Sequence, residues 1–310
     1  MKKNIMLSIL FILICFSISI ADEITISAVG DVNPQILKSV SKKQLNRIRN
    51  FLGDSDVIFG NLESPITTHP VRTSGKKKKD IKEKKDYVFK SDPATVNRLV
   101  YLGFNVFALA NNHMMDYCEK GLNDTIYLLN RHKIKHCGAG KNISIAQTPV
   151  IIKKRNVKIA FIAYSEIVPV KSIATANYPG IAGISYPPTS YDFNNIKRSI
   201  ISARKKGADI VIVSLHWGKE KSSKMEEYQV KFTRKILDSG ADCIIGHHPH
   251  ILRSIETYKG KIIAYSLGNF IFGTYGPTIV LKIKFKRDKN GNWKQSCSRK
   301  KMYVRNGVPE

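Results

Sequence analysis

The chain has 310 residues, 24% charged and 43% hydrophobic, with 20 glycines and 12 prolines. That balance excludes collagen-like and low-complexity proteins and leaves room for one large α/β domain or two smaller ones. Charge is the outlier: 51 Lys and Arg against 24 Asp and Glu give +27, an excess suited to nucleic acid, an anionic membrane surface or an acidic polymer.

The chain opens with a targeting pattern. Lys2 and Lys3 precede an apolar run from Ile5 to Ile20, and Ser19-Ile20-Ala21 places small residues at positions −3 and −1 of a cleavage site. Residues 1–21 are therefore expected to be a secretory signal peptide, with an uncleaved N-terminal anchor as the alternative. Export places the protein outside the cytoplasmic membrane (secreted, periplasmic or membrane-associated), where little DNA or RNA lies, so no nucleic-acid partner is expected. An oxidising compartment permits disulfides; Cys118 with Cys137 is a conceivable pair, whereas Cys243 sits in an apolar run and reads as an inert buried thiol.

In chain order, β-branched apolar runs predict strands at residues 24–29 and 57–59. Residues 72–85 then break the composition. Lysines at 76, 77, 78, 79, 82, 84 and 85 read as an exposed basic insertion, a solvated surface or a means of gathering an anionic polymer or lipid. Further strands are expected at 106–109 and 157–163. A helix follows from an N-cap at Asp192, with Ile196, Ile200 and Ala203 on one face and Gly207 as its stop. After a strand at 210–215, Met225, Tyr228, Phe232 and Ile236 mark a second helix ending at Gly240. Strands at 243–245 and 262–265 come next, and runs at 279–285 and 300–304 flank Asn290-Gly291 as a C-terminal β-hairpin. Strands alternating with helices imply an α/β domain with largely parallel pairing, spanning residues 22–310.

The chemistry collects where the strands end. The successive strands run into Gly30-Asp31-Val32-Asn33, Gly60-Asn61-Leu62-Glu63, Asn111-Asn112-His113 with Asp116, His216-Trp217-Gly218, Gly246-His247-His248-Pro249-His250 and Ser266-Leu267-Gly268-Asn269-Phe270. In open α/β sheets, ligands bind outside the carboxyl ends of strands, so six such ends make one polar mouth. Carboxylate, amide oxygen and imidazole together suit Mn²⁺, Zn²⁺ or Fe²⁺ better than Ca²⁺ or a thiolate site. A pair of such cations activates water and clamps the attacking and leaving oxygens of a displacement.

The order of these motifs, from about residue 24 to residue 272, resembles the CapA family of poly-γ-glutamate capsule-synthesis proteins. That family is similar to the calcineurin-like metallophosphoesterases. The resemblance implies a four-layer α/β/β/α sandwich and two divalent metal ions. It implies metal ligands at Asp31, Asn33, Glu63, Asn112, His216, His248 and His250. Asn33 falls where metallophosphoesterases usually have histidine, and Glu63 where they have the bridging aspartate. His113 matches the non-ligand histidine that assists the leaving group, with Asp116 placed to hold its ring.

Three functional readings follow. The first is an exported metal-dependent enzyme of poly-γ-glutamate assembly or processing, working beside membrane-bound polymer synthesis and export proteins. The second is a non-catalytic component that binds the nascent polymer. The third is a metal-dependent phosphodiesterase.

Overall fold

The computed structural model describes residues 23–73 and 75–310; the expected signal segment lies outside the described residues. Two sheets form the centre. The first has eight strands. Glu23–Val32, Val57–Leu62, Val106–Ala108 and Lys135–Cys137 run parallel in that order. On the other side of Glu23–Val32, the antiparallel strands Gly276–Arg287, Trp293–Arg305 and Val308–Pro309 extend the sheet. The short strand Asn269–Ile271 pairs with the end of Glu23–Val32, setting Asn269 opposite Asp31. In the second sheet, Val157–Ser165, Ile210–His216, Cys243–His247 and Lys261–Ala264 are parallel neighbours. Val150–Lys154 and Ile255–Tyr258 close its edges antiparallel.

The sheets pack face to face. Ile26, Val57 and Val106 of the first meet Ile159, Ile212 and Ile245 of the second in one buried cluster. Phe59 stacks on Phe161 across the interface, with ring centroids 5.2 Å apart. The outer face of the first sheet is covered by the helices Lys42–Leu52, Thr95–Leu102 and Cys118–Arg131, through Ile48, Leu99 and Leu122. The outer face of the second is covered by Ser190–Lys205 and Glu227–Asp238, through Ile196, Ile200 and Ile236. This is the expected four-layer arrangement. Strands buried on both faces explain the near-continuous apolar runs in the sequence.

The sequence-level boundaries hold to within a few residues, with informative exceptions. The helix expected to start at Asp192 starts three residues earlier. Thr189 is its N-cap, and Asp192 is the N3 partner of a reciprocal capping box. The second helix begins at Glu227, so Met225 precedes it. The hairpin is longer than its apolar runs, because the outer faces of its strands are solvated. The insertion contains a single helical turn, Lys78–Lys82, and it is not uniformly exposed, since Lys76 is buried. Cys118, Cys137, Cys243 and Cys297 are free thiols. Cys118 and Cys137 are therefore unpaired, and burial raises the Cys243 thiol far above its ordinary range. Among the described residues, no helix is long and apolar enough to cross a membrane.

Close backbone contact positions the strand ends. A Cβ on Gly30 would lie 1.8 Å from the Gly268 carbonyl oxygen, and one on Gly246 would lie 2.1 Å from that of Tyr265. Both contacts are with backbone, which cannot swing aside. Gly30→Ala should therefore destabilise the fold by about 3 kcal/mol, the upper part of the overpacking range. Urea unfolding of the variant measures this, and an unchanged midpoint would contradict the close approach.

Candidate metal centre

The strand ends converge on one buried mouth. Asp31 is the next-to-last residue of the first strand, and Asn61 lies opposite it in register. Glu63 follows Leu62 immediately. His216 ends Ile210–His216 and is paired with His247 on the neighbouring strand. The chain then bends sharply, with His248 at φ 93° and His250 at φ 58°. Two non-glycine residues in the left-handed region within three positions are unusual, and such strain gathers at functional sites. The bend brings both rings to the mouth.

Distances define the cluster. His216 Nε2 lies 2.8 Å from Asn112 Oδ1, 3.1 Å from His248 Nδ1 and 3.6 Å from Glu63 Oε1. His250 Nδ1 lies 3.4 Å from Asp31 Oδ2, and its Nε2 lies 3.9 Å from Glu63 Oε1. Donor atoms of Asp31, Glu63 and His216 fall within 4.8 Å of one another, as do those of Glu63, His248 and His250. Glu63 belongs to both groups. Its two carboxylate oxygens are buried and make no hydrogen bond. A buried carboxylate without a partner is costly, and a divalent cation held by carboxylate and imidazole satisfies it. The residues present therefore fit a metal ion.

The charges are mutually tuned. Burial opposes ionisation of Asp31, but His247 and His250 hold its carboxyl well below the usual range. Burial, reinforced by the Asp31 charge, pushes Glu63 well above it. Burial and His250 lower His248 to about 3; burial and His248 lower His216 as well. Burial also opposes the charge on His250, yet Glu63 and Asp31 raise it to about 10.

Of the sequence-predicted residues, Asp31, Glu63, Asn112, His216, His248 and His250 come together. Asn33 does not join them by any contact among the described residues. Its Oδ1 accepts from Gln35 N at 3.2 Å and from Ser91 Oγ at 3.3 Å, capping the 3₁₀ helix Pro34–Ser39. His113 and Asp116 form their own pair, Nδ1 to Oδ2 at 2.7 Å. Supporting residues were missed by the sequence reading. Asn61 Nδ2 donates to Asp31 Oδ1 at 2.8 Å and lies 3.2 Å from His216 Nδ1. Asn111 Nδ2 donates to Asn61 Oδ1, and Asn269 Oδ1 lies 2.8 Å from His250 Nδ1. Such partners fix the orientation of ligating groups. Their signal was present, since each sits inside a strand-end motif, but their roles depend on which strands are neighbours. His247, fully buried, has Nδ1 3.3 Å from Asp31 Oδ1.

The fold and the cluster define the class: a calcineurin-like phosphoesterase fold. The calcineurin-like phosphoesterase YfkN from Bacillus subtilis superposes with a TM-score of 0.51 over 90% of this chain and 91% of that one, at 16% identity. The family model described as "Bacterial capsule synthesis protein PGA_cap" matches residues 25–274, and the chain belongs to that family. It is 33% identical over 260 residues to "Capsule biosynthesis protein CapA" of Bacillus anthracis, covering 81% of this chain and 60% of the relative. It is also 33% identical over 259 residues to "PGA biosynthesis protein CapA" of Bacillus subtilis (strain 168), covering 81% and 64%. The chain thus spans less than two thirds of the length of these relatives.

Two measurements test the cluster. His248→Ala should remove most bound Mn²⁺ or Zn²⁺ after dialysis, whereas Asn33→Ala should keep the metal and cost about 1 kcal/mol through the lost cap. Metal content that survives in the histidine variant would contradict the assignment. In the metal-free protein, His250 carries its proton up to about pH 10. A cation must displace that proton, so metal affinity should rise with pH through the neutral range, about tenfold per unit for each proton released. Calorimetry in buffers of different ionisation enthalpy reads that proton directly.

Proposed function

We propose that this chain is an exported, metal-dependent enzyme of metallophosphoesterase type. On this reading it acts in the assembly or processing of poly-γ-glutamate, beside membrane-bound polymer synthesis and export proteins. The observation that carries the reading is the convergence of Asp31, Glu63, His216, His248 and His250 around a buried carboxylate with no hydrogen bond. Family membership and the names of the Bacillus relatives supply the polymer. The signal pattern of residues 1–21 supplies the route of export.

Asp31, Glu63, Asn112, His216, His248 and His250 would hold two divalent cations, Mn²⁺, Zn²⁺ or Fe²⁺. When bound, these supply Lewis acidity and an activated water. The protein's own groups do the rest. Asn61 and Asn269 fix Asp31 and His250. Asp116 engages Nδ1 of His113, so Nε2 is the atom at which that ring can give or take a proton. Burial is the main reason His113 is held below its ordinary range, which favours the neutral ring.

Substrate gathering falls to the basic segment. Arg72, Lys77, Lys78 and Lys82, with Pro70 and Ile81, line a groove of about 710 Å³ that Thr73 and Lys76 join to the His113 side of the mouth. Those four cations have no acidic partner among the described residues. Exposed charges act over about 8 Å at physiological salt, enough to hold a polycarboxylate chain without a shaped pocket.

The tests separate the readings. His113→Ala should keep metal and fold while turnover of poly-γ-glutamate falls by about 10²-fold or more. Metal-loaded protein that binds the polymer and never changes it would favour a non-catalytic component; turnover of bis(p-nitrophenyl) phosphate alone would favour a phosphodiesterase. Changing Lys77, Lys78 and Lys82 to serine should weaken polyglutamate binding and flatten its salt dependence. Superimposable salt curves would place polymer binding elsewhere.

A further inference from the structure

Lys76 behaves unlike the lysines around it. Its side chain is only 2% exposed, and its ammonium group points inward. Nζ donates to the Tyr87 carbonyl at 2.8 Å, pairs with Asp116 Oδ1 at 2.7 Å and lies 3.1 Å from His113 Nδ1. Asp86 Oδ1 is 3.6 Å away. The ammonium is thus hydrogen-bonded to a backbone carbonyl and ion-paired with two carboxylates, Asp116 and Asp86, so it is engaged inward rather than presented to the groove.

Two groups compete for His113 Nδ1. The Asp116 carboxylate needs a proton on that nitrogen, whereas a lysine donor needs its lone pair. The carboxylate is nearer, 2.7 Å against 3.1 Å, and a charge-assisted N–H···O⁻ contact of that length is a strong one. Lys76 therefore acts mainly on Asp116. Asp116 is held on Oδ1 by Lys76 and on Oδ2 by Phe89 N at 2.7 Å as well as by His113. The Phe89 ring lies against the imidazole, with centroids 4.1 Å apart. Lys76, Tyr87 and Phe89 all belong to the segment that enters and leaves the basic insertion.

We propose that Lys76 is a positioning residue: by fixing Asp116 it holds His113 in the tautomer with the proton on Nδ1, and so keeps Nε2 as the bare nitrogen. The insertion then has two separate tasks. Lys77, Lys78 and Lys82 face the groove, while Lys76 anchors the segment to the histidine. The inference rests on the reading that His113 serves the metal centre, but its test does not require turnover.

The experiment is ¹⁵N NMR of the full chain labelled in histidine and loaded with Zn²⁺, with His113 assigned through H113Q. The wild-type protein should show a protonated, slowly exchanging Nδ1 and an unprotonated Nε2 at His113. K76M should lose the Nδ1–H signal while retaining bound Zn²⁺, and K77M should leave it unchanged. A wild-type His113 protonated on Nε2, or a K76M spectrum identical to wild type, overturns the proposal. Should K76M fail to fold, ¹⁵N-lysine labelling of the wild type decides. Lys76 should give a slowly exchanging NH₃⁺ resonance that D116N displaces, and a resonance exchanging like those of surface lysines refutes the role. Failure of the polymer assays alone would refute the proposed function and leave the tautomer result standing.

Discussion

A buried carboxylate without a hydrogen bond organises this protein. Glu63 lies at the meeting point of the two sheets, fully buried, with neither oxygen hydrogen-bonded. Beside it Asp31 is ionised, and the raised His250 supplies a positive charge. Interiors hold such groups only when something compensates them. The surrounding architecture keeps the compensation in register. Parallel ladders set Asp31 opposite Asn61 and Asn269, and His216 opposite His247. Because these are backbone pairings between buried strands, the donors are placed by the sheets themselves. The glycines at 30 and 246 allow the close approach on which that placement depends.

Much of this was legible in the sequence for a definite reason. A buried strand ending in a polar cluster is a local pattern, and each of the six clusters lies within a few residues. The strands at 24–29, 210–215 and 243–245 could be read because β-branched runs are local too. What could not be read was which polar groups answer which. Asn61 and Asn111 sit in motifs that look like turns, and their roles appear only when three strands lie side by side. Asn33 shows the converse. It lies at an expected ligand position, but its oxygen is engaged by the 3₁₀ helix that starts at Pro34. The N-cap at Thr189 escaped because Asp192 is also a good capping residue, and only the reciprocal bonds between them decide the start.

The lysine segment shows most sharply where local pattern stops. Seven lysines in ten positions look interchangeable, and a charge run is by default a solvated face. One of them is buried, because the aspartate partner of a histidine 37 positions away offers its ammonium a buried carboxylate. Composition carries no information about such a contact. The neighbouring lysines remain at the surface: Lys79 and Lys85 pair there with Glu83, and Lys77, Lys78 and Lys82 have no acidic partner among the described residues. The same segment thus contains a fixed anchor and a free cationic groove, next to each other and opposite in environment.

That division has an electrostatic consequence on the proposed reading. The chain carries a formal charge of +27, yet its mouth holds Asp31 and Glu63, two acidic groups in a low-dielectric setting. A polycarboxylate drawn to Arg72, Lys77, Lys78 and Lys82 would find little net attraction at the metal-free mouth, where the Asp31 charge is offset by His250. Divalent cations held there would make the mouth positive and attract the carboxylates. Metal occupancy and polymer binding at the mouth are then coupled, and the coupling is reciprocal: whatever metal adds to polymer affinity, polymer adds to metal affinity. The groove cations are exposed and screened by solvent, so they do not replace the metal in this role. Gathering the chain and admitting it to the mouth are therefore separate steps, one set by surface lysines and the other by what occupies the histidine cluster.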